Sequence, residues 1–438
     1  AGDPDNRRFM QWEGLSANQT FLKNHIKKLA KIRADHPALR RGTRTGVSAS
    51  NDVLVYRMST TGDSVYVAVN RADGERQATG LPASSTDLLS GKTISGPSTN
   101  IPARSAYILV EKLPICMNTL RHWAPNGAGF RLALYQTYDP QHCVPGRRPV
   151  LIVPGYGMNS FIFSYHPGGV SLEGFLAERG FEVWRADLRE QGETQRDGGS
   201  SNFSLEDLAL TDLGVAIDKV LSETTTGAER VDILGCSLGG TLMFIHATLN
   251  PRHRMGTLVA MGSPVRWERI HPLIKLAFSS PTLVGMVRVR GTRKIAELAL
   301  PILAKRTPWL LSIYMNPEIT DVSAVRDLVR TVEDPNRHIN RQIAEWIQRR
   351  DLIVRGVNIS EAIAALDNPF LCIVANGDGI VPRETAAYPF SKLCSPSKKL
   401  LEVGTDTIAM AHADLFVSCE AHERVFAPLA DWLAHPTG

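Results

Sequence analysis

Metal-ligand spacing is missing from this sequence. Its six cysteines, Cys116, Cys143, Cys236, Cys372, Cys394 and Cys419, lie far apart and form no CxxC pair. That excludes a cysteine metal site and a dense disulfide framework, and scattered buried thiols are expected. Uncharged apolar runs approaching ~20 residues are missing too, so no membrane span is expected. There is no Gly-rich P-loop and no dinucleotide fingerprint, hence no cofactor is expected. Aromatic residues make up only 7% of the chain, and none interleaves with the basic cluster Lys23, Lys27, Lys28, Lys31, Arg33, Arg40, Arg41 and Arg44. That cluster reads as a solvated helix face, not a nucleic-acid site. The first residues carry no charged-then-apolar leader. Compartment and oligomeric state leave no trace in the sequence, beyond the expectation of a soluble chain.

What is present is ordinary globular composition, 43% hydrophobic and 21% charged. The 438 residues suggest two or three domains at about 150 residues each. Charge divides the chain unevenly: residues 1–112 hold sixteen Lys/Arg against ten Asp/Glu, and the remainder is almost neutral. The basicity belongs to one N-terminal piece.

In that piece Phe21, Leu22, Ile26, Leu29, Ala30 and Ile32 recur at helical spacing, predicting an amphipathic helix over 20–35. Short β-type runs follow at Val53–Met58, Ser64–Asn70, Asp87–Leu89 and Ala106–Val110, split by turn residues such as Thr61-Gly62-Asp63. A small antiparallel β-sandwich is expected, ending near residues 111–116. Ala1–Arg8, Ile32-Arg33, His36–Gly42 and Ile101–Tyr107 resemble the end of an α-amylase-family chain. The resemblance implies a last barrel helix and C-terminal sandwich, without that family's catalytic acids.

Beyond it, Val150–Val153, Val183–Ala186, Val231–Leu234, Thr257–Met261, Phe370–Ala375 and Lys399–Val403 are apolar runs without polar alternation. They fit strands buried on both faces of a mostly parallel sheet, an α/β architecture. Residues 264–362 are helical by pattern and read as an inserted helical cap, leaving 113–263 and 363–438 as the sheet domain.

The chemistry concentrates at Gly235-Cys236-Ser237-Leu238-Gly239, a G-x-S-x-G motif between an apolar strand and a helix. A nucleophile on so sharp a turn needs small neighbours at −2 and +2, and Gly235 and Gly239 supply them. Ser237 is the expected nucleophile. Cys236 would need Gly two positions earlier, where Leu234 stands, and reads as a packed thiol. In such a sheet the acid and the base follow the Ser in chain order, each after a later strand. Asp378 follows the strand 370–375, and His412 sits in a loop after 399–403. His422, the other histidine of this region, falls inside the last helix. Two backbone amides are expected for an oxyanion: Leu238, next to the nucleophile, and Tyr156 in Pro154-Gly155-Tyr156-Gly157.

On these motifs residues ~125–435 resemble the α/β-hydrolase superfamily, similar to its acid-lipase-like and polyhydroxyalkanoate-synthase-like branches. The synthase branch has Cys where Ser237 stands, which favours hydrolysis over polymer synthesis. The expected activity is serine carboxylic-ester hydrolysis of a small-molecule or polymeric hydrophobic ester, without metal, nucleic acid or obligate membrane insertion. Phe161, Phe163, Trp309, Tyr314 and Met315 are candidates for an acyl tunnel. Alternatives are an acyltransferase of the same fold, a glycan-binding protein acting through residues 1–112, and an inactive hydrolase fold used for binding.

Overall fold

The computed structural model describes residues 13–60, 63–111, 117–287, 290–323 and 325–436. The Ala1–Arg8 motif, the turn residues Thr61-Gly62 and most of the expected boundary, 112–116 with Cys116, lie outside the described residues. The chain divides into two compact units, Ala1–Ile115 and Cys116–Gly438.

The first unit opens with the helix Ala17–Asp35, started by a capping box in which Ser16 Oγ accepts from Gln19 N and the Gln19 side chain accepts from Ser16 N. Of its apolar stripe only Ile32 is buried, whereas Phe21, Leu22 and Ile26 are exposed. An antiparallel six-stranded sheet follows, with strands in the order 43–49, 53–60, 63–70, 105–111, 84–87 and 93–95. A two-stranded ladder, Arg76–Thr79 with Ser98–Ile101, lies beside it. Ala78 and Ile101 from the ladder join Val53, Val55, Ala68 and Leu109 from the sheet in one apolar cluster. The strand expected at Asp87–Leu89 instead ends at Asp87. Its carboxylate accepts from Leu89 N at 3.2 Å and Ser90 N at 3.0 Å, which turns the chain out of the sheet.

The second unit is built on a nine-stranded sheet. Its strands are β1 (Asn118–Pro125), β2 (Phe130–Tyr138), β3 (Val150–Val153), β4 (Val183–Asp187), β5 (Gln195–Arg196), β6 (Val231–Cys236), β7 (Met255–Met261), β8 (Phe370–Ala375) and β9 (Lys398–Val403). They run in the order β5-β2-β4-β3-β6-β7-β8-β9, with β1 added to β2. From β4 to β9 every pairing is parallel. The β1–β2 hairpin is antiparallel and was not expected from apolar runs, because β1 is largely exposed and polar residues interrupt both strands.

The inner strands bury both faces, as all-parallel strands require. Leu151, Val231, Ile233, Phe370 and Cys372 enter one core cluster, while Ile152, Leu234, Leu371 and Ile373 enter the other. Helices α1 (Leu172–Ala177), α2 (Leu213–Glu223) and α3 (Leu238–Leu249) connect β3 to β7. Between β7 and β8 come α4 (Pro272–Ala277), α5 (Pro281–Met286), α6 (Thr292–Arg306), α7 (Pro308–Leu311) and α8 (Arg337–Arg349). The five described cysteines are free; Cys236 and Cys372 are buried, but Cys394 and Cys419 are exposed, against the expectation of buried thiols throughout.

The loop after β4 is anchored by a buried ion pair. Arg189 donates to Asp212 through Nε at 2.8 Å, Nη2 at 2.6 Å and its own amide at 3.0 Å. Asn126 Nδ2 donates to the same carboxylate at 2.7 Å, tying in the β1–β2 turn. Removing one partner strands a buried charge, so Asp212→Ala is expected to lower stability by about 3–5 kcal/mol. Urea unfolding followed by tryptophan fluorescence measures this; an unchanged midpoint would mean that the pair contributes nothing.

Candidate active site

Ser237 stands between the end of β6 and the start of α3 with φ 51° and ψ −120°. A side chain at positive φ is strained, and only close packing holds it there. That packing is made of backbone. A Cβ at residue 235 would lie 2.4 Å from Gly240 Cα, and one at residue 239 would lie 2.2 Å from Val153 O. The strand, the helix and the end of β3 therefore touch without side chains between them. Ser237 N donates to Met261 O at 2.9 Å, fixing the turn to β7. Cys236, one residue earlier, is fully buried, and burial pushes its thiol far above the usual range. Without a thiolate it is no nucleophile.

His412 and Asp378 meet behind this turn. Both are buried, and His412 Nδ1 donates to Asp378 Oδ2 at 2.6 Å. The other carboxylate oxygen accepts from Ile380 N and Val381 N, each at 2.8 Å. The carboxylate is thereby oriented by its own turn and leaves the imidazole with Nε2 free of that bond, able to take a proton. Gly262 makes the approach possible: at φ +53°, its absent Cβ would sit 3.1 Å from His412 Cε1 and 3.3 Å from Asp378 Oδ2. Met261, which receives the Ser237 amide, and Gly262, which abuts the imidazole, are consecutive. Among the described residues no hydrogen bond joins Ser237 Oγ to His412, a contact that often tightens only with substrate bound. His422 lies elsewhere, donating to Val170 O and packed on His166 at 4.4 Å between ring centroids.

The two expected oxyanion residues, Tyr156 and Leu238, line one small cavity of about 50 Å³ together with Gly155, Gly157, Gln191 and Glu333. A Cβ on Gly155 would reach 2.8 Å from Ser237 Cβ. The Tyr156 side chain points into the helical segment, where its hydroxyl donates to Asn340 Oδ1, and burial raises its pKa. Gln191 was not foreseen as a site residue. It accepts from Leu188 N at 2.9 Å and donates to Gly155 O at 3.4 Å, steadying the Gly155–Gly157 loop.

Of the five tunnel candidates, Phe163 and Met315 are core residues, Phe163 packing edge-on against Phe416. Phe161 stacks on Tyr165 beneath Arg330. Only two border the site: Trp309 lines an open groove with Asp378, and the Tyr314 ring lies 6.2 Å from that of His412.

Sequence reasoning named Tyr314 and Met315 only as tunnel candidates and missed the bracing role of the segment 313–320, which brackets both loops. Ile313 O accepts from Gly379 N at 3.0 Å, next to Asp378, and Tyr314 O accepts from Ala413 N at 2.8 Å, next to His412. Asp414, buried, then gathers three donors: Asn316 N reaches both its oxygens, at 3.1 and 2.9 Å, while Thr320 Oγ1 donates at 2.7 Å and Ala411 N at 2.7 Å. Burial holds its carboxyl above the usual range even so.

Asp414 faces donors only, so Asp414→Asn turns an amide N–H₂ toward N–H groups. A loss of about 1–3 kcal/mol in stability is expected, with kcat falling more than KM rises because the His412 loop loosens. Equal kcat in the variant would exclude this positioning. Gly155→Ala is expected to lower kcat by about 10²-fold, the scale of a lost oxyanion donor, with folding retained by circular dichroism.

Residues 147–403, more than half of the chain, match the family described as serine aminopeptidase, S33. No curated protein matches the chain in sequence. Among solved structures, the chain is similar to 2-hydroxy-6-oxo-6-phenylhexa-2,4-dienoate hydrolase from Rhodococcus sp. strain RHA1 (16% identity, 73% of this chain and 99% of that one, TM-score 0.49). It is also similar to an esterase from Exiguobacterium antarcticum (13%, 72% and 100%, TM-score 0.47) and to the monoacylglycerol lipase of Paleococcus ferrophilus (18%, 70% and 99%, TM-score 0.45). With a parallel sheet, a strand–Ser–helix turn and the family match over its core, the chain belongs to the serine aminopeptidase S33 family of α/β hydrolases.

Proposed function

We propose that this chain is a serine carboxylic-ester hydrolase acting through an acyl-enzyme. Ser237 Oγ attacks the ester carbonyl while His412 Nε2 takes its proton, and the Leu238 and Tyr156 amides receive the oxyanion. His412 then protonates the departing alcohol, and a water deprotonated by the same imidazole releases the acid. Asp378 holds the tautomer and stabilises the imidazolium charge. The observation that carries this reading is the buried 2.6 Å His412–Asp378 bond beside the Ser237 turn.

A hydrophobic acyl group, or a polyester, is the substrate class favoured by the apolar helices between β7 and β8, which serve as a cap over 264–362. The acid-lipase-like resemblance points the same way. The amylase-like resemblance of residues 1–112 brings none of that family's catalytic acids, so no step is assigned to them. The family's own description favours a second reading, removal of an N-terminal residue from a peptide, with an amine as leaving group.

Hydrolysis of p-nitrophenyl esters from acetate to palmitate, beside aminoacyl p-nitroanilides, separates the two. Ester turnover is expected to exceed anilide turnover and to rise with chain length, and Ser237→Ala is expected to lower it by at least ~10³-fold. Undiminished turnover in that variant would sink the mechanism. A maximum at acetate would sink only the long-chain reading.

A further inference from the structure

Apolar surface on the described chain is concentrated on four consecutive helices of the insertion. Leu276 on α4, Leu283 and Met286 on α5, Leu298 on α6 and Trp309 on α7 are each at least 65% exposed. Val287, Ile295 and Ile302 add to them. On α6, Ile295, Leu298 and Ile302 follow at steps of three and four and so share one helix face. Apolar exposure on this scale marks an interaction site.

Charge tells what the partner is. Among the described residues of 270–311, Lys275, Arg290, Arg293, Lys294, Lys305 and Arg306 are exposed cations and Glu297 is the one acid; Glu333, paired with Arg293, and Asp334, at the start of α6, border them from outside this stretch. Lys294 and Lys305-Arg306 sit at the two ends of the α6 stripe. Apolar side chains set among cations that outnumber the neighbouring acids complement an anionic lipid–water interface, which offers acyl chains below and negative headgroups above.

This surface reaches the site from two sides. Phe278, just after α4, packs edge-on against Tyr156 with centroids 6.4 Å apart, and Trp309 shares its groove with Asp378. We propose that α4–α7 dock on an anionic lipid surface, and that the ester substrate is one held in that surface. The second half rests on the ester-hydrolase reading; the docking does not.

Flotation of the full chain with phosphatidylglycerol and with phosphatidylcholine vesicles tests both halves separately. Wild type and Ser237→Ala are expected to float with phosphatidylglycerol, to remain behind with phosphatidylcholine, and to detach in high salt. Leu283→Gln with Leu298→Gln, and separately Lys294→Glu with Lys305→Glu, should each weaken binding by more than about tenfold. Turnover of p-nitrophenyl acetate should stay unchanged in both pairs. If the leucine pair fails to fold, the charge pair, which removes no buried group, carries the test. Absence of flotation, equal flotation with both lipids, or flotation that survives the charge pair overturns the docking. A lipid-free dimer that the leucine pair dissolves in sedimentation velocity gives the face to a second copy and also overturns it. Flotation without ester turnover retires the ester reading and leaves the docking standing; turnover without flotation does the reverse.

Discussion

At Ser237 the chain holds a backbone angle that an L-residue resists, and the neighbouring structure is arranged to hold it there. The strand β6 arrives at full burial, α3 departs at once, and the turn between them is pressed by the end of β3 and the edge of β7. Strain of this kind costs about 1–3 kcal/mol and persists only where packing over-determines it. Glycine at 235, 239, 240 and 155 is the means: each removes a side chain where two backbones, or a backbone and a small side chain, must touch. The parallel sheet supplies the rigidity, since its inner strands are locked by apolar clusters on both faces.

Around that turn, carboxylates do the orienting. Asp378 is held by two amides and holds His412; Asp414 is held by Asn316, Thr320 and Ala411; Asp187 accepts from Ser160 N and Glu193 N. Burial opposes the charge on Asp187 and Asp414, and donors offset part of that opposition. Such networks are costly when half satisfied and rigid when complete.

How much of this could be read from residue order varies with the kind of contact. Five inner strands were legible because burial on both faces makes them continuous apolar runs; the sixth, Lys398–Val403, is an edge strand buried only in part, against the expectation of burial on both faces. The Ser237 turn was legible because glycine spacing is a direct imprint of backbone contact. The hairpin Asn118–Tyr138 escaped because its first strand is largely exposed and polar residues interrupt both strands, although Asn126-Gly127 marked its turn. The helix Ala17–Asp35 had the right period but not the burial, since periodicity predicts a face and not what covers it. The bracing by Ile313 and Tyr314 escaped for a different reason. They act on the Asp378 and His412 loops through main-chain carbonyls, and every residue type carries the same one.

That last contact bears on how the two layers of this unit could change over time. Because adjacent peptide oxygens at 313 and 314 serve the Asp378 and His412 loops, the segment between β7 and β8 is no detachable accessory. A shorter descendant lacking it would expose Gly379 N and Ala413 N without partners and strip Asp414 of Asn316 and Thr320. Variation in the helices before Pro308 is free of this constraint, so new specificities can be tried there while residues 313–320 stay fixed in place.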